Sequence, residues 1–214
     1  MNYEQVLYEH DNPLFIGLDE VGFGAWSCEL VVCGVKAKRD WNWIGLNDSK
    51  KLSAKKRESA REHLHSLIEL NVIQHHIAVI PNDQLDDVGV AVALKQAYAE
   101  CIKALMEPEA TIFVDGVLNL KGFVSHPVTT IVKGDGIVPT IMAASILAKT
   151  FRDALMAEHH KEFPQYDWVK NMGYGAPKHA AALKEVGACK LHRFSYEPMK
   201  SMKNETKENS KKAV

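Results

Sequence analysis

Apolar and polar positions along the chain repeat with two periods. LFIGLD, residues 14–19, is an apolar run closing on an acid, and ELVVCGVKA, residues 29–37, is a second run. The glycine-rich turn between them predicts two antiparallel strands. After Ser53, a suitable helix N-cap, AKKRESAREHLHSLIEL places Leu64, Leu67 and Ile68 on one helical face. In NVIQHHIAVI the alternation of Ile73, His75, Ile77 and Val79 predicts a third strand, and Asn82 is positioned to cap one long helix, DQLDDVGVAVALKQAYAECIKALM, ending before Pro108. TIFVDG, residues 111–116, and PVTTIVKGD, residues 127–135, are two more β-branched runs ending in Asp-Gly or Gly-Asp. The segment from Pro139 to Phe163 follows as a helix with proline in its first turn, and PKHAAALKEVG as a last one with glycine at its C-cap.

Strands and helices in this order predict an α/β fold, a central mixed sheet flanked by helices, with a small helical part at about 163–200. The whole of 1–200 is expected to be a single domain. The lysine-rich stretch 201–214, without apolar periodicity, is expected to be a disordered tail.

Composition narrows the function classes modestly. Apolar residues make up 46% of the 214 positions and charged residues 25%, enough for a real core. No apolar run reaches the length of about 18 residues that a membrane span needs. The N-terminal MNYEQVLYEHDNP lacks the apolar core of a secretory signal, so a cytoplasmic protein is expected. Cys28, Cys33, Cys101 and Cys189 include no Cys-x-x-Cys pair. Cys28 and Cys33, read as residues of one strand, point to opposite faces and cannot chelate one zinc together. All four are expected as reduced thiols. A net charge of −1 excludes a generally basic nucleic-acid coater, but positive charge is concentrated locally at Lys50, Lys51, Lys55, Lys56 and Arg57 and again in the tail.

The acids at strand ends carry the chemistry. Asp19 with Glu20, Asp115 and Asp135 each close a predicted strand, and sites of α/β sheets assemble at such ends. A single Asp-Gly after a strand is most often a turn; three at strand ends point to more. Two carboxylates about 4 Å apart repel by roughly 4 kcal/mol at an effective dielectric near 20. Clustered acids therefore require protons or cations, and oxygen-only ligands select Mg²⁺ or Mn²⁺ over zinc. Two such ions can clamp an in-line phosphoryl displacement, one activating water and the other steadying the leaving oxygen. Because neighbouring strand residues face opposite ways, Asp19 is the expected central ligand, and Glu20 must reach round with its longer arm.

Eight motifs, in order, resemble the type 2 ribonucleases H, the ribonuclease HII family: GLDEVGFG, LNDSKKLS, FVDG, IVKGD, AASILAKTFRD, FPQY, GYGAPKH and HRFSYEP. The likeness spans roughly residues 14–200. It implies a ribonuclease H-like fold and endonucleolytic cleavage of RNA joined or paired to DNA, on the 5′ side of a ribonucleotide, leaving a 3′-hydroxyl and a 5′-phosphate. It also implies that Asp19, Glu20, Asp115 and Asp135 are the catalytic, metal-binding acids. In the family, a glycine motif and a C-terminal tyrosine meet the ribonucleotide; here these match Gly22-Phe23-Gly24 and Tyr174. Phe23 departs from the family's Gly-Arg-Gly, and AWSCE replaces its Gly-Pro stretch, which predicts altered junction preference.

Supporting positions follow. Lys50 and Lys51 are expected on phosphates, which position a duplex without reading sequence. Ser145, Lys149 and Arg152 form one stripe at i, i+4 and i+7 facing the site or the backbone, with Asp153 off it as a structural residue. His179 and the His192-Arg193 pair receive no role. The expected partner is an RNA–DNA hybrid or ribonucleotide-containing duplex DNA, bound by a monomer. No clamp-binding motif (Gln-x-x-apolar-x-x-aromatic-aromatic) stands near the C-terminus. Two alternatives stay open: a nuclease confined to hybrids, favoured by Phe23, and a catalytically silent nucleic-acid-binding protein, disfavoured by the four acids.

Overall fold

The computed structural model describes residues 2–41 and 52–202. Lys50, Lys51 and most of the lysine-rich tail lie outside the described residues. The chain forms two compact units: Met1–Val21, Val31–Val79 and Leu94–Arg152 make the first, and Gly22–Leu30, Ile80–Ala93 and Asp153–Val214 the second.

The first unit is built on a five-stranded mixed sheet, ordered β3-β2-β1-β4-β5. Its strands are β1 (Leu14–Val21), β2 (Leu30–Lys38), β3 (Gln74–Ile80), β4 (Ala110–Asp115) and β5 (Val128–Ile131). β1 pairs antiparallel with β2, as the glycine-rich turn predicts, and parallel with β4, which in turn pairs parallel with β5. β1 is central and covered on both faces, which is why its sequence is a continuous apolar run rather than an alternating one. On β3 the buried positions are Ala78 and Ile80, while Val79 is exposed, so the buried face is the opposite of the one that Val79 would mark.

Helices α1 (Tyr3–Glu9), α2 (Ala54–Glu69), α4 (Val90–Leu105) and α5 (Pro139–Glu162) accompany the sheet. α2 starts where Ser53 predicts: the Ser53 side chain accepts the Lys56 amide at 3.3 Å. α1 is legible in hindsight through its capping box, in which Asn2 and Gln5 satisfy each other's amides. Its Val6 enters a core of Phe15, Phe113, Ile131, Val138 and Ile141. Gly17 marks the closest approach of β1 to α5. A Cβ there would sit 2.2 Å from the Ile141 amide nitrogen and 2.3 Å from the Thr140 carbonyl carbon, so only glycine admits the helix.

The expected long helix after Asn82 is two. α3 (Asn82–Val88) ends at Gly89, whose φ of 80° leaves the helical region, and α4 begins at Val90. Asn82 is not the cap: Pro81 is, and the Asn82 amide group instead donates to the carbonyls of Lys190 (2.9 Å) and His192 (3.3 Å).

The second unit contains α6 (Trp168–Asn171) and α7 (Pro177–Val186) around a core of Met156, Tyr166, Trp168, Leu183, Met199 and Cys28. Cys28 precedes β2 rather than belonging to it, at a left-handed φ of 64°. The two-faces reading of Cys28 and Cys33 therefore does not apply. All four cysteines are thiols rather than disulfides.

Candidate active site

Three of the four acids converge in the first unit. The parallel register that pairs Leu18 with Val114 brings Asp19 and Asp115 level on neighbouring strands. Asp135 reaches them from a different element than expected. β5 stops at Ile131, Lys133 turns with φ 59°, and Asp135 sits in a short 3₁₀ turn, Gly134–Gly136. Asp115 itself shapes that turn: its Oδ1 accepts the Gly134 amide at 2.6 Å and lies 3.4 Å from the Asp135 amide. One oxygen from each of Asp19, Asp115 and Asp135 lies within 4.8 Å of the others.

Electrostatics mark Asp19 as the focus. Its side chain is buried, and that burial, followed by the charges of Glu20 and Asp115, pushes its pKa up to about 7. Hydrogen bonds from the Ser145 hydroxyl and the Glu20 amide (2.8 Å) act in the opposite direction. A carboxyl held near neutrality by desolvation and by other carboxyls is short of a cation. The donor set is all hard oxygen, so the residues fit Mg²⁺ or Mn²⁺.

Glu20 stands beside the trio, close enough that its charge is the strongest acting on Asp19. Its Oε2 accepts a hydrogen bond from the hydroxyl of Tyr98, a fully buried residue of α4. Burial, then the charge of Glu20, pushes the Tyr98 phenol well above its usual pKa, so it stays a donor. On the α5 stripe, Ser145 lies at the trio, Lys149 one turn on is half-buried, and Arg152 is fully buried.

The glycine motif and Tyr174 belong to the second unit. Gly22 is buried with φ 91°, while Phe23 and Tyr174 are exposed at 44% and 39%. Arg193, a residue without a role in the sequence reading, organises this segment. Fully buried, it donates from Nη1 to the carbonyls of Gly22 (2.7 Å) and Phe23 (3.1 Å) and from Nε to that of Cys28 (2.9 Å). Asp86 fixes the chain beyond it by accepting the amides of Phe194 (2.7 Å) and Ser195 (2.8 Å). The signal is the HRFSYEP motif, which carries the family resemblance but in which the His192-Arg193 pair receives no role from the sequence.

A histidine relay holds Tyr174. His179 Nδ1 donates to the Tyr174 carbonyl at 3.0 Å, which leaves His179 Nε2 to accept from His192 Nε2 at 3.0 Å. His192 Nδ1 in turn accepts the Cys189 amide at 3.0 Å. Each ring carries one proton, and burial holds His192 in that neutral form, its pKa lowered to about 4. Gly175 is required because the Trp26 ring lies where its Cβ would stand, 2.3 Å from Trp26 Cζ2.

Comparison with known structures gives the class. The chain resembles the RNase HII of the PCNA:RNase HII complex from Archaeoglobus fulgidus, with TM-score 0.71 and 26% identity over 86% of this chain and 95% of that one. It is also similar in fold to the ribonuclease H2 from Pyrococcus horikoshii OT3, with TM-score 0.71 and 19% identity over 90% and 98% of the two chains. The five-stranded mixed sheet with flanking helices is thus a ribonuclease H-like fold.

Sequence relatives narrow this. A family model described as Ribonuclease HII matches residues 16–199. Proteins named Ribonuclease HII from Staphylococcus epidermidis and Syntrophus aciditrophicus are each 34% identical, over 92% and 91% of this chain and 74% and 89% of their own lengths. The chain belongs to the ribonuclease HII family, the metal-dependent ribonucleases H of type 2.

Proposed function

We propose that this chain hydrolyses the phosphodiester on the 5′ side of ribonucleotides, in RNA–DNA hybrids or embedded in duplex DNA, by a two-metal-ion mechanism using Mg²⁺ or Mn²⁺. The observation that carries the reading is the convergence of Asp19, Asp115 and Asp135, with the Asp19 pKa raised to about 7. Bound there, divalent cations supply an acidified water and charge stabilisation on the leaving oxygen.

The protein's own residues do the rest. Asp19, Asp115 and Asp135 would hold the ions. Glu20, steadied by Tyr98, completes the acid set, and the Ser145 hydroxyl orients Asp19. Attack on phosphorus breaks the bond to the upstream 3′-oxygen, which takes a proton and leaves as a 3′-hydroxyl; the ribonucleotide keeps the 5′-phosphate. Lys149, Lys50 and Lys51 serve the phosphates. Backbone donors of Gly22, Phe23 and Gly24, together with Tyr174, meet the ribonucleotide, whose 2′-hydroxyl distinguishes it from DNA. The reading includes a monomer in the cytoplasm, where the reducing milieu keeps cysteines as thiols, as all four are here; among the described residues no helix is long and apolar enough to cross a membrane.

The test is cleavage of two labelled duplexes, one with a single ribonucleotide in DNA and one an RNA–DNA hybrid, with Mg²⁺, Mn²⁺ or chelator. The proposal expects metal-dependent cutting 5′ of the lone ribonucleotide. Asp19→Asn should lower it on the order of 10³-fold, since metal stabilisation of the transition state is worth several kcal/mol. Cutting of the hybrid alone would move the chain to the second reading, a hybrid-confined nuclease, which the exposed Phe23 favours. Binding without any cutting would remove the catalytic claim.

A further inference from the structure

The second unit holds a donor cluster that the hydrolysis does not use. Cys28, Glu29 and His159 each offer one ligand atom, all within 4.8 Å of one another. His159 Nε2 lies 2.9 and 3.0 Å from the two Glu29 carboxylate oxygens. Cys28 and Glu29 belong to the Gly22–Leu30 segment, and His159 to the part of α5 that lies in the same unit.

We propose that Cys28, Glu29 and His159 form a site for one Zn²⁺ ion, which staples the glycine-motif segment to α5. The donor set is the reverse of the acid trio's. One thiolate, one imidazole and one carboxylate select a borderline-soft ion over Mg²⁺. Charge supports the assignment: thiolate and carboxylate together neutralise a dication, and a neutral imidazole adds none. A buried position tolerates that sum, whereas a lone cation there would be costly.

Distances are within reach of it. Tetrahedral ligands at Zn–N, Zn–O and Zn–S lengths of roughly 2.0–2.3 Å stand about 3.3–3.6 Å apart. The His159–Glu29 contact needs only to open by a few tenths of an ångström, and Cys28, within 4.8 Å of both, to close a gap of at most about 1.5 Å. Binding exchanges the Cys28 S–H bond for S–Zn and releases the proton to solvent. Three protein ligands leave the fourth position to water.

The surroundings hold the ligands in place and leave a way in. The Cys28 amide donates to the Leu191 carbonyl at 2.7 Å, and its carbonyl accepts from Arg193 Nε at 2.9 Å. Cys28 is fully buried, while the side chains of Glu29 and His159 keep 16% and 22% of their surface, enough for an ion to enter from solvent. Because Arg193 also grips the Gly22 and Phe23 carbonyls, an ion at Cys28 is tied through one side chain to the glycine motif.

Cobalt tests this on the full chain, because a thiolate bound to Co²⁺ gives a near-ultraviolet charge-transfer band that oxygen ligands do not. One equivalent of Co²⁺ should saturate the band in wild type, Zn²⁺ should bleach it, and a large excess of Mg²⁺ should leave it unchanged. The band should vanish in Cys28→Ser and in His159→Gln, the latter a change at a partly exposed helical position that leaves the fold intact by circular dichroism. It should persist in Asp135→Asn and in Cys189→Ser. Zinc should also raise the Tm of wild type by several degrees and leave that of His159→Gln unmoved. Absence of the band, its survival in Cys28→Ser or His159→Gln, or its loss in Asp135→Asn would each overturn the proposal.

Discussion

The hydroxyl of Tyr98 donates to the carboxylate of Glu20, the acid whose charge acts most strongly on Asp19. Tyr98 comes from the middle of α4 and is fully buried, so the bond forms where water does not compete. A hydrogen bond to a charged group is worth about 1.5–3 kcal/mol. Tyr98→Phe keeps the ring and removes only that bond. We expect a fall in cleavage rate of about 10–100-fold with the metal-concentration midpoint shifted upward, measured by single-turnover kinetics across a metal titration. An unchanged rate would mean that Glu20 holds its place without Tyr98.

The pKa of Asp19 makes stability depend on pH. Its folded value of about 7 lies above its ordinary 3.8, so between the two the folded chain binds more protons than the unfolded one. Metal-free protein therefore loses stability from this group as pH rises from about 4 to about 7 and regains it on acidification. At about 1.4 kcal/mol per pKa unit, the effect is on the order of a few kcal/mol. His192 works the other way: its pKa, lowered from 6.5 to about 4, costs stability as pH falls between those values. The difference between wild type and Asp19→Asn in urea unfolding with chelator isolates the Asp19 part. That difference should favour Asn increasingly from pH 5 to pH 8, and Mg²⁺ should shrink it.

Gly17→Ala should be among the most damaging changes of a single methyl. The new Cβ would meet backbone of the first turn of α5, which has no rotamer to give. Overpacking a core typically costs about 1–3 kcal/mol, and a clash with backbone on both sides belongs at or beyond the top of that range. Chemical denaturation would read the loss. A cost under about 1 kcal/mol would show that β1 and α5 can slide apart.

Phe23→Arg tests the altered glycine motif. The Phe23 carbonyl is anchored by Arg193 Nη1 and by the Tyr196 hydroxyl at 2.9 Å, so the side chain can change without moving the backbone. Supplying a guanidinium should raise cleavage at a single embedded ribonucleotide relative to the hybrid by about 10–100-fold, the worth of one charge-assisted hydrogen bond. Equal effects on both substrates would mean that position 23 does not choose between them.

Much of this was readable in the chain, for reasons that differ by element. β1 and β2 announced themselves because both faces of a central strand are apolar. The three converging acids were legible because each follows closely on an apolar, strand-like run. Asp135 was assigned to a strand end, yet sits in a turn; Val-Lys-Gly-Asp carries both signals, and only the left-handed Lys133 separates them. The helix break at Gly89 was hidden because apolar residues continue on either side of it. Asn82 looked like a cap by residue type, but its partners lie more than a hundred positions away at Lys190 and His192, a distance that local pattern does not see. Arg193 was missed for the same reason, since its partners are the carbonyls of residues 22, 23 and 28.

Asp115 holds the Gly134 amide with its Oδ1, and one of its carboxylate oxygens lies toward the neighbouring acids. Its replacement therefore removes one acid of the cluster and loosens the turn that presents another. The paired defects of Asp115 and Asp135 variants should combine to less than their sum. The two aspartates thus act as one structural unit, and a change at Asp115 reaches both carboxylates at once.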